Sequence, residues 1–260
     1  MTIEKVFSLE FHFLLSSMFQ QTISFVMQQI RPANARIIYF PGFGEDDRIF
    51  DELRQELKIP LPEVVVDYHP SLQQFPVQKT SMDTFLNLLM DAYEIKPHDI
   101  LIGHSFGGWV AHQLRQRIGA EAILICSFTH SSHLALRSRW LLQNKIIVLA
   151  GVLHSPFVRW IAYNRNKAKP SAEPITNIFD NFAKTPPEDL YKIMKLVEAK
   201  VPGPVVPPSL MMHSRQDLII SPPDEPHISI PGDHFALHEH AALVARKIRS
   251  WYRNQAAHSA

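Results

Sequence analysis

Short apolar runs alternate with segments of helical spacing along most of the chain. Phe7, Leu9, Phe11 and Phe13 alternate with Ser8, Glu10 and His12, which is strand periodicity, and Met18 to Ile30 fits either a strand or a helix. Arg36 to Phe40 reads as a short buried strand halted at Pro41-Gly42, followed by a helix over Asp46 to Leu57 that ends before Pro60 and Pro62. Val64 to Tyr68 is a second buried strand. Met82, Phe85, Leu86, Leu89 and Met90 place one apolar face on a helix over Ser81 to Tyr93. Asp99 to Ile102 predicts a strand, Phe106 to Ile118 a helix closed by Gly119, and Ala122 to Cys126 another strand.

This rhythm then breaks. Thr129 to about Lys200 carries helical patterns and no clear strand. Strands resume at Ser209 to Met212 and His227 to Ile230, and a last helix runs from about Leu237 to Arg253. Nearly all-apolar strands alternating with helices predict an α/β fold with a mostly parallel sheet covered on both faces. The expected division is a core of residues 1–128 and 205–260 interrupted by a helical insertion over 129–204. Val201 to Pro208 is rich in proline, and a stiff segment of that kind suits the chain's return to the sheet.

Composition narrows the function. At 260 residues with 46% hydrophobic and 20% charged positions, the chain can bury a large core and is not intrinsically disordered. A net charge of +1 gives no field to recruit nucleic acid or anionic lipid. One cysteine, Cys126, excludes an intrachain disulfide and a cysteine-rich zinc module, and fits a reducing, cytoplasmic setting. Glu4, Glu10 and His12 interrupt the apolar N-terminal run, so a secretory signal is not expected. No membrane span is expected either, the closest run being Lys145 to Leu153. Nothing in the sequence sets an oligomeric state.

The most informative stretch is Gly103-His104-Ser105-Phe106-Gly107-Gly108, directly after a strand and directly before a helix. It has the Gly-x-Ser-x-Gly spacing. A serine hydroxyl becomes a nucleophile when a sharp turn exposes it beside a base, and the flanking glycines relieve collisions between strand and helix. The helix N-terminus beneath Ser105 favours developing negative charge. Of the nine glycines, five lie at 42, 44, 103, 107 and 108, and Gly232 stands two residues before His234.

With these motifs the chain resembles the α/β-hydrolase superfamily over roughly residues 34–128 and 205–252. The resemblance implies a mostly parallel eight-stranded sheet with a helical cap inserted after the sixth strand, where the 129–204 segment falls. It implies an oxyanion hole made by the backbone amides of Phe106, after the nucleophile, and Phe43, in the loop Tyr39 to Gly44. Family members often carry His-Gly where this chain has Pro41-Gly42. The family order of serine, acid, histidine points to Asp217, four residues past the strand ending at His213, with Asp224 as the rival in the same loop. It points to His234 as base, in the Gly232-Asp233-His234 sequence, with His238 and His240 as rivals inside the last helix. His104 and His213 are expected to be neighbours that shape the site. The 234/238 spacing is nearly that of a metal pair, but His234 falls before the helix, so no metal is expected. Trp109, Trp140, Leu149, Phe157 and Trp160 are expected to line an apolar substrate pocket beneath the insertion, although apolar periodicity alone equally fits packing onto the core or an exposed binding patch.

The expectation is therefore a serine hydrolase acting on a small ester or thioester with an apolar acyl or alcohol part, through Ser105, His234 and Asp217, an acyl-enzyme, and no cofactor. A lyase or acyltransferase using the same triad is the alternative, since a fold does not fix a reaction. A binding protein without catalysis is a further alternative.

Overall fold

The structure is a computed structural model and describes residues 34–135, 151–199, 201 and 206–257. Residues Ala35–Arg249 make up one compact unit. The two N-terminal segments read as strand or helix, and Trp140 and Leu149, lie outside the described residues.

In chain order the unit opens with β1 (Ile37–Phe40), α1 (Asp51–Leu57), β2 (Glu63–Val65), α2 (His69–Leu72) and α3 (Met82–Tyr93). There follow β3 (Ile100–His104), α4 (Phe106–Ile118) and β4 (Glu121–Ile125). Helices α5 (Pro156–Asn166), α6 (Ala172–Lys184) and α7 (Pro187–Val197) come between β4 and β5 (Leu210–Ser214). Strand β6 (Ile228–Ile230), a single-turn α8 (Ala236–Glu239) and α9 (Ala241–Ala257) end the described chain.

Six strands form one sheet in the order β2-β1-β3-β4-β5-β6, and each neighbouring pair is parallel. Parallel strands bury both faces, and β1 and β3 accordingly have every residue buried, while β2 and β6 at the edges are partly exposed. Helix α3 shows how local sequence sets an element. Ser81 caps its N-terminus by accepting the Thr84 N–H at 3.2 Å, Asp83 lies in the first turn, and Met82, Phe85, Leu86 and Leu89 face the core. Residue Glu94 then stops it in the left-handed conformation.

Several boundaries differ from the sequence reading. The segment 46–57 begins with a 3-10 turn, Asp47–Phe50, before α1. Strand β2 ends at Val65, and α2, too short to show a period, was not anticipated. The last helical stretch breaks at His240 into α8 and α9. Around the insertion, the side chains of Arg115 and Gln116 donate to the Pro207 and Val206 carbonyls, at 2.8 and 2.6 Å, and hold the return to β5 against α4.

The parallel order brings the C-terminal ends of β1, β3, β4 and β5 to one edge. There α4 leaves β3 so tightly that a Cβ on Gly107 would overlap the backbone of Phe40 and Pro41. By contrast Gly119, at φ +72°, has no atom within 4 Å of a built Cβ. Gly119→Ala should therefore cost about 1–2 kcal/mol, from left-handed strain alone. Gly107→Ala should cost about 3 kcal/mol or more, because backbone rather than a movable side chain occupies the space. Urea unfolding of the two variants measures this; equal losses would contradict the close approach.

Candidate active site

Ser105 sits between β3 and α4 at φ 53°, ψ −123°, a conformation that L-residues rarely adopt. The turn is held from three sides. The Ser105 N–H donates to the Ile125 carbonyl at 3.1 Å, the Gly108 N–H donates to the Ser105 carbonyl at 3.1 Å, and the Ser127 hydroxyl donates to that carbonyl at 2.6 Å. Gly103 and Gly108 have no room for a side chain against α4 and Ser127 respectively.

The loop after β5 presents Asp217, and the loop after β6 presents His234. Nε2 of His234 lies 3.0 Å from the Ser105 Oγ, and Nδ1 lies 2.7 Å from Asp217 Oδ2. The other carboxylate oxygen, Oδ1, accepts the Ile219 and Ile220 N–H groups at 2.8 and 2.9 Å. Burial pushes the Asp217 carboxyl up, but the adjacent His234 and these amide donors outweigh it and hold it below the ordinary aspartate value. A carboxylate only accepts, so His234 Nδ1 must donate to it, and Nε2 is left to accept from the serine. Both side chains are buried, while Ser105 keeps partial exposure.

The rivals lie elsewhere. Asp224 is 97% exposed and pairs with His133 at 3.3 Å. His238 pairs with Glu52 at 3.0 Å, and His240 lies 3.7 Å from Glu239. His213, on β5, is buried, and among the described residues neither of its ring nitrogens has a hydrogen-bond partner. Burial pushes its pKa down. Among the described residues no cluster of three or more histidine, cysteine or acidic side chains could hold a metal ion. No described helix is long and apolar enough to cross a membrane.

The loop of Phe43 lies beside the elbow. The Glu45 N–H donates to the Gly42 carbonyl at 3.2 Å, with Gly44 at φ 76°, so Phe43 and Gly44 occupy a tight turn. Among the described residues neither the Phe43 nor the Phe106 N–H has an acceptor. For Phe106 this follows from its place at the start of α4, where the first turn's amides lack intrahelical partners. Helix α6 covers the turn. The Phe182 ring packs against Phe43 at a 49° tilt with centroids 5.0 Å apart, and the Asn181 amide donates to the Gly44 carbonyl at 3.0 Å. A cavity of about 550 Å3 adjoins the turn, lined by Gly42, Gly44, Tyr68, Asn181 and Ile193 among others.

Of the residues expected to line a substrate pocket, Trp109 is buried, stacks on Phe128 at 5.3 Å and donates its indole N–H to the Leu196 carbonyl at 3.0 Å. Phe157 and Trp160 stack on each other on α5 and are 65% and 60% exposed. Sequence reasoning gave no role to Glu45, which is buried against His104, or to Asp233. Asp233 accepts the Phe235 N–H at 2.8 Å and the Ser171 hydroxyl at 2.6 Å, tying the His234 loop to the start of α6.

The sequence profile of the alpha/beta hydrolase family matches residues 16–247. The chain belongs to this family. A search of curated proteins finds no match. Among solved structures, this α/β hydrolase is similar to a hydrolase from Oleispira antarctica, with TM-score 0.63 and 17% identity over 88% of this chain and 96% of that one. It is similar to a thermophilic esterase from Thermogutta terrifontis, with TM-score 0.59 and 18% identity over 85% and 90% of the two chains. An enol-lactonase from Burkholderia xenovorans LB400 gives TM-score 0.59 and 14% identity over 86% and 94%. At these identities the likeness establishes the fold that this α/β hydrolase shares with them.

The depressed pKa of Asp217 gives a signed expectation. Its contribution to stability is present above the unfolded value of about 3.9 and is lost as pH falls through the lower folded value. Asp217→Asn should be less stable than wild type at neutral pH, and the gap should narrow below about pH 4. Urea midpoints across the acid range test this; a constant gap would mean that the carboxylate's charge is not what stabilises the loop.

Proposed function

We propose that this chain is a serine hydrolase acting on a small ester or thioester with an apolar acyl or alcohol part. The observation that carries this reading is the continuous hydrogen-bonded line from the Ser105 hydroxyl through His234 to Asp217, starting at a strained turn. His234 Nε2 takes the Ser105 proton as Oγ attacks the carbonyl carbon. Asp217 holds the ring in the tautomer that makes this possible and stabilises the imidazolium that forms. The amides of Phe43 and Phe106 receive the negative charge on the carbonyl oxygen. His234 returns the proton to the leaving group, and water then clears the acyl-enzyme by the same steps. The names of two solved folds, an esterase and an enol-lactonase, are compatible with an ester carbonyl as the reacting group.

Residues 129–204 act in this reading as a cap over the acyl part of the substrate. The exposure of Phe157 and Trp160 favours Phe182 and Ile178, which press on Gly44 from α6, as the apolar wall over the Phe43 turn. Each methylene buried there adds about 0.8 kcal/mol, or nearly fourfold in kcat/KM.

Three measurements test the reading. A fluorophosphonate probe should label wild type and not Ser105→Ala, and wild type should hydrolyse p-nitrophenyl esters. Ser105→Ala and His234→Ala should each lose about five to six powers of ten, and the double variant little more, because the residues act as a unit. Asp217→Asn should lose about three to four powers of ten, while Asp224→Asn stays close to wild type. Absence of labelling in wild type would remove the reading; Asp224→Asn being the worse of the two aspartate variants would move the acid. For the cap, acetate and octanoate esters are compared on folded variants. Phe182→Ser should flatten the chain-length preference, and Trp160→Ser should leave it intact. The reverse pattern would return the pocket to α5.

A further inference from the structure

We propose that Glu45 and His104 are a positioning pair that locks the Phe43 turn to the His234 loop, and that His104 does this as an imidazolium. The proposal rests on the serine-hydrolase reading for its effect on rate, but its geometry stands independently.

His104 ends β3, one residue before the nucleophile, and is fully buried. Its Nδ1 lies 2.8 and 2.9 Å from the two oxygens of Glu45, and its Nε2 lies 2.9 Å from the backbone carbonyl oxygen of His234. A carboxylate and a carbonyl only accept. Neutral imidazole has one N–H and would set a lone pair against an acceptor on one side; the imidazolium satisfies both. Glu45 in turn accepts the Gly42 N–H at 2.5 Å, and Gly42 lacks the Cβ that would otherwise stand 2.6 Å from that oxygen. One buried pair therefore spans the turn presenting Phe43, the strand end carrying the nucleophile, and the backbone of the residue that bears the base.

The surroundings favour the cation. Burial opposes charge on His104, but the Glu45 carboxylate beside it outweighs this and holds the imidazolium well above the ordinary histidine range. The Cys126 thiol from the end of β4 faces the ring, and burial pushes it up, so it stays neutral. The Tyr68 hydroxyl, on the Glu45 side, donates to the Pro41 carbonyl at 2.9 Å, and burial also pushes it up. The His234 ring lies 5.0 Å away, with Asp217 beyond it, and Phe235 packs at 6.1 Å.

The sign of the pH effect follows. The folded pKa of His104 is raised, so the lock is complete below the unfolded value of about 6.5, holds through neutrality, and is lost as pH rises through the folded value. Glu45→Gln supplies an uncharged version of the same contacts. Its amide N–H can donate to a neutral Nδ1 while its oxygen accepts from Gly42, and Nε2–H still serves the His234 carbonyl. Glu45→Ala removes both links.

The experiment measures kcat and KM for p-nitrophenyl acetate from about pH 6 to pH 10 in wild type, Glu45→Ala and Glu45→Gln. It also records ring 15N shifts of histidine-labelled protein, with the His104 signal assigned by its loss in His104→Gln. Glu45→Ala should lower kcat about a hundredfold with KM within about twofold, because oxyanion contacts act in the transition state. Wild-type kcat should decline at alkaline pH, and Glu45→Gln should recover most of the Glu45→Ala loss and abolish that decline. The 15N shifts should show two ring N–H groups on His104 in wild type at pH 8 and one in Glu45→Gln. A neutral His104 in wild type, a Glu45→Ala kcat close to wild type, or the same alkaline decline in Glu45→Gln would each overturn the proposal. A wild type that neither hydrolyses esters nor takes up a fluorophosphonate defeats the serine-hydrolase reading instead, and the 15N result then decides the ion pair by itself.

Discussion

The close approach of α4 to the ends of β1 and β3 is the constraint from which the rest of the site follows. It forces the chain to reverse within one residue, and that residue is Ser105, at φ 53°. Strain of this kind costs of order 1–3 kcal/mol and persists only where neighbours over-determine it. Here they do: β4 supplies the Ile125 carbonyl to the Ser105 amide, and Ser127 takes the Ser105 carbonyl. The next strand repeats the device. Cys126, immediately after β4, is itself at φ 44° and donates its N–H to the Met212 carbonyl of β5. Two adjacent strand ends are thus bent in the same sense, and the second bend brings Ser127 to the first.

Three carboxylates, Asp217, Asp233 and Glu45, then do for the loops what the glycines do for the elbow. The Asp217 and Glu45 side chains are buried and Asp233 is half-buried, and a carboxylate taken even partly out of water is tolerated only when its oxygens meet donors. Asp217 meets two backbone amides and an imidazole, Asp233 an amide and a hydroxyl, and Glu45 an amide and an imidazole. Each set of donors comes partly from the acid's own loop and partly from a distant element. Satisfying the charge therefore fixes the loop and its relation to a neighbour at once.

This division also explains what could be read from the sequence. The strands β1, β3 and β4, the helices α3 and α4, and the elbow are encoded locally, by apolar runs, helical spacing and glycine positions, and the structure has them within a residue or two. Glu45 was not legible, because it falls between the glycine loop ending at Gly44 and the helix predicted from Asp46 and belongs to no motif. Its burial comes from a histidine 59 residues away, and no local pattern records that contact. The same holds for Ser171 and Asp233, separated by 62 residues. Asp217 and Asp224 were alternatives because both lie in one polar loop; only the backbone amides of Ile219 and Ile220 and the line to His234 separate them. Helical spacing identified the apolar residues of α5 but could not say that Phe157 and Trp160 would face outward.

The two imidazoles at the centre are distinguished by their environments. His104 and His234 stand with ring centroids 5.0 Å apart, yet their partners assign them different chemistry. His234 faces one acceptor, Asp217, and one hydroxyl, Ser105, so a single N–H suffices and Nε2 can accept from the serine. His104 faces two acceptors and needs both protons. The acceptor on its second nitrogen is the carbonyl of His234 itself. In the proposed mechanism, the residue whose ring takes the serine proton is thus gripped, through its backbone, by the residue whose ring keeps both of its own. A grip on the backbone fixes the position of His234 without competing for either of its ring nitrogens.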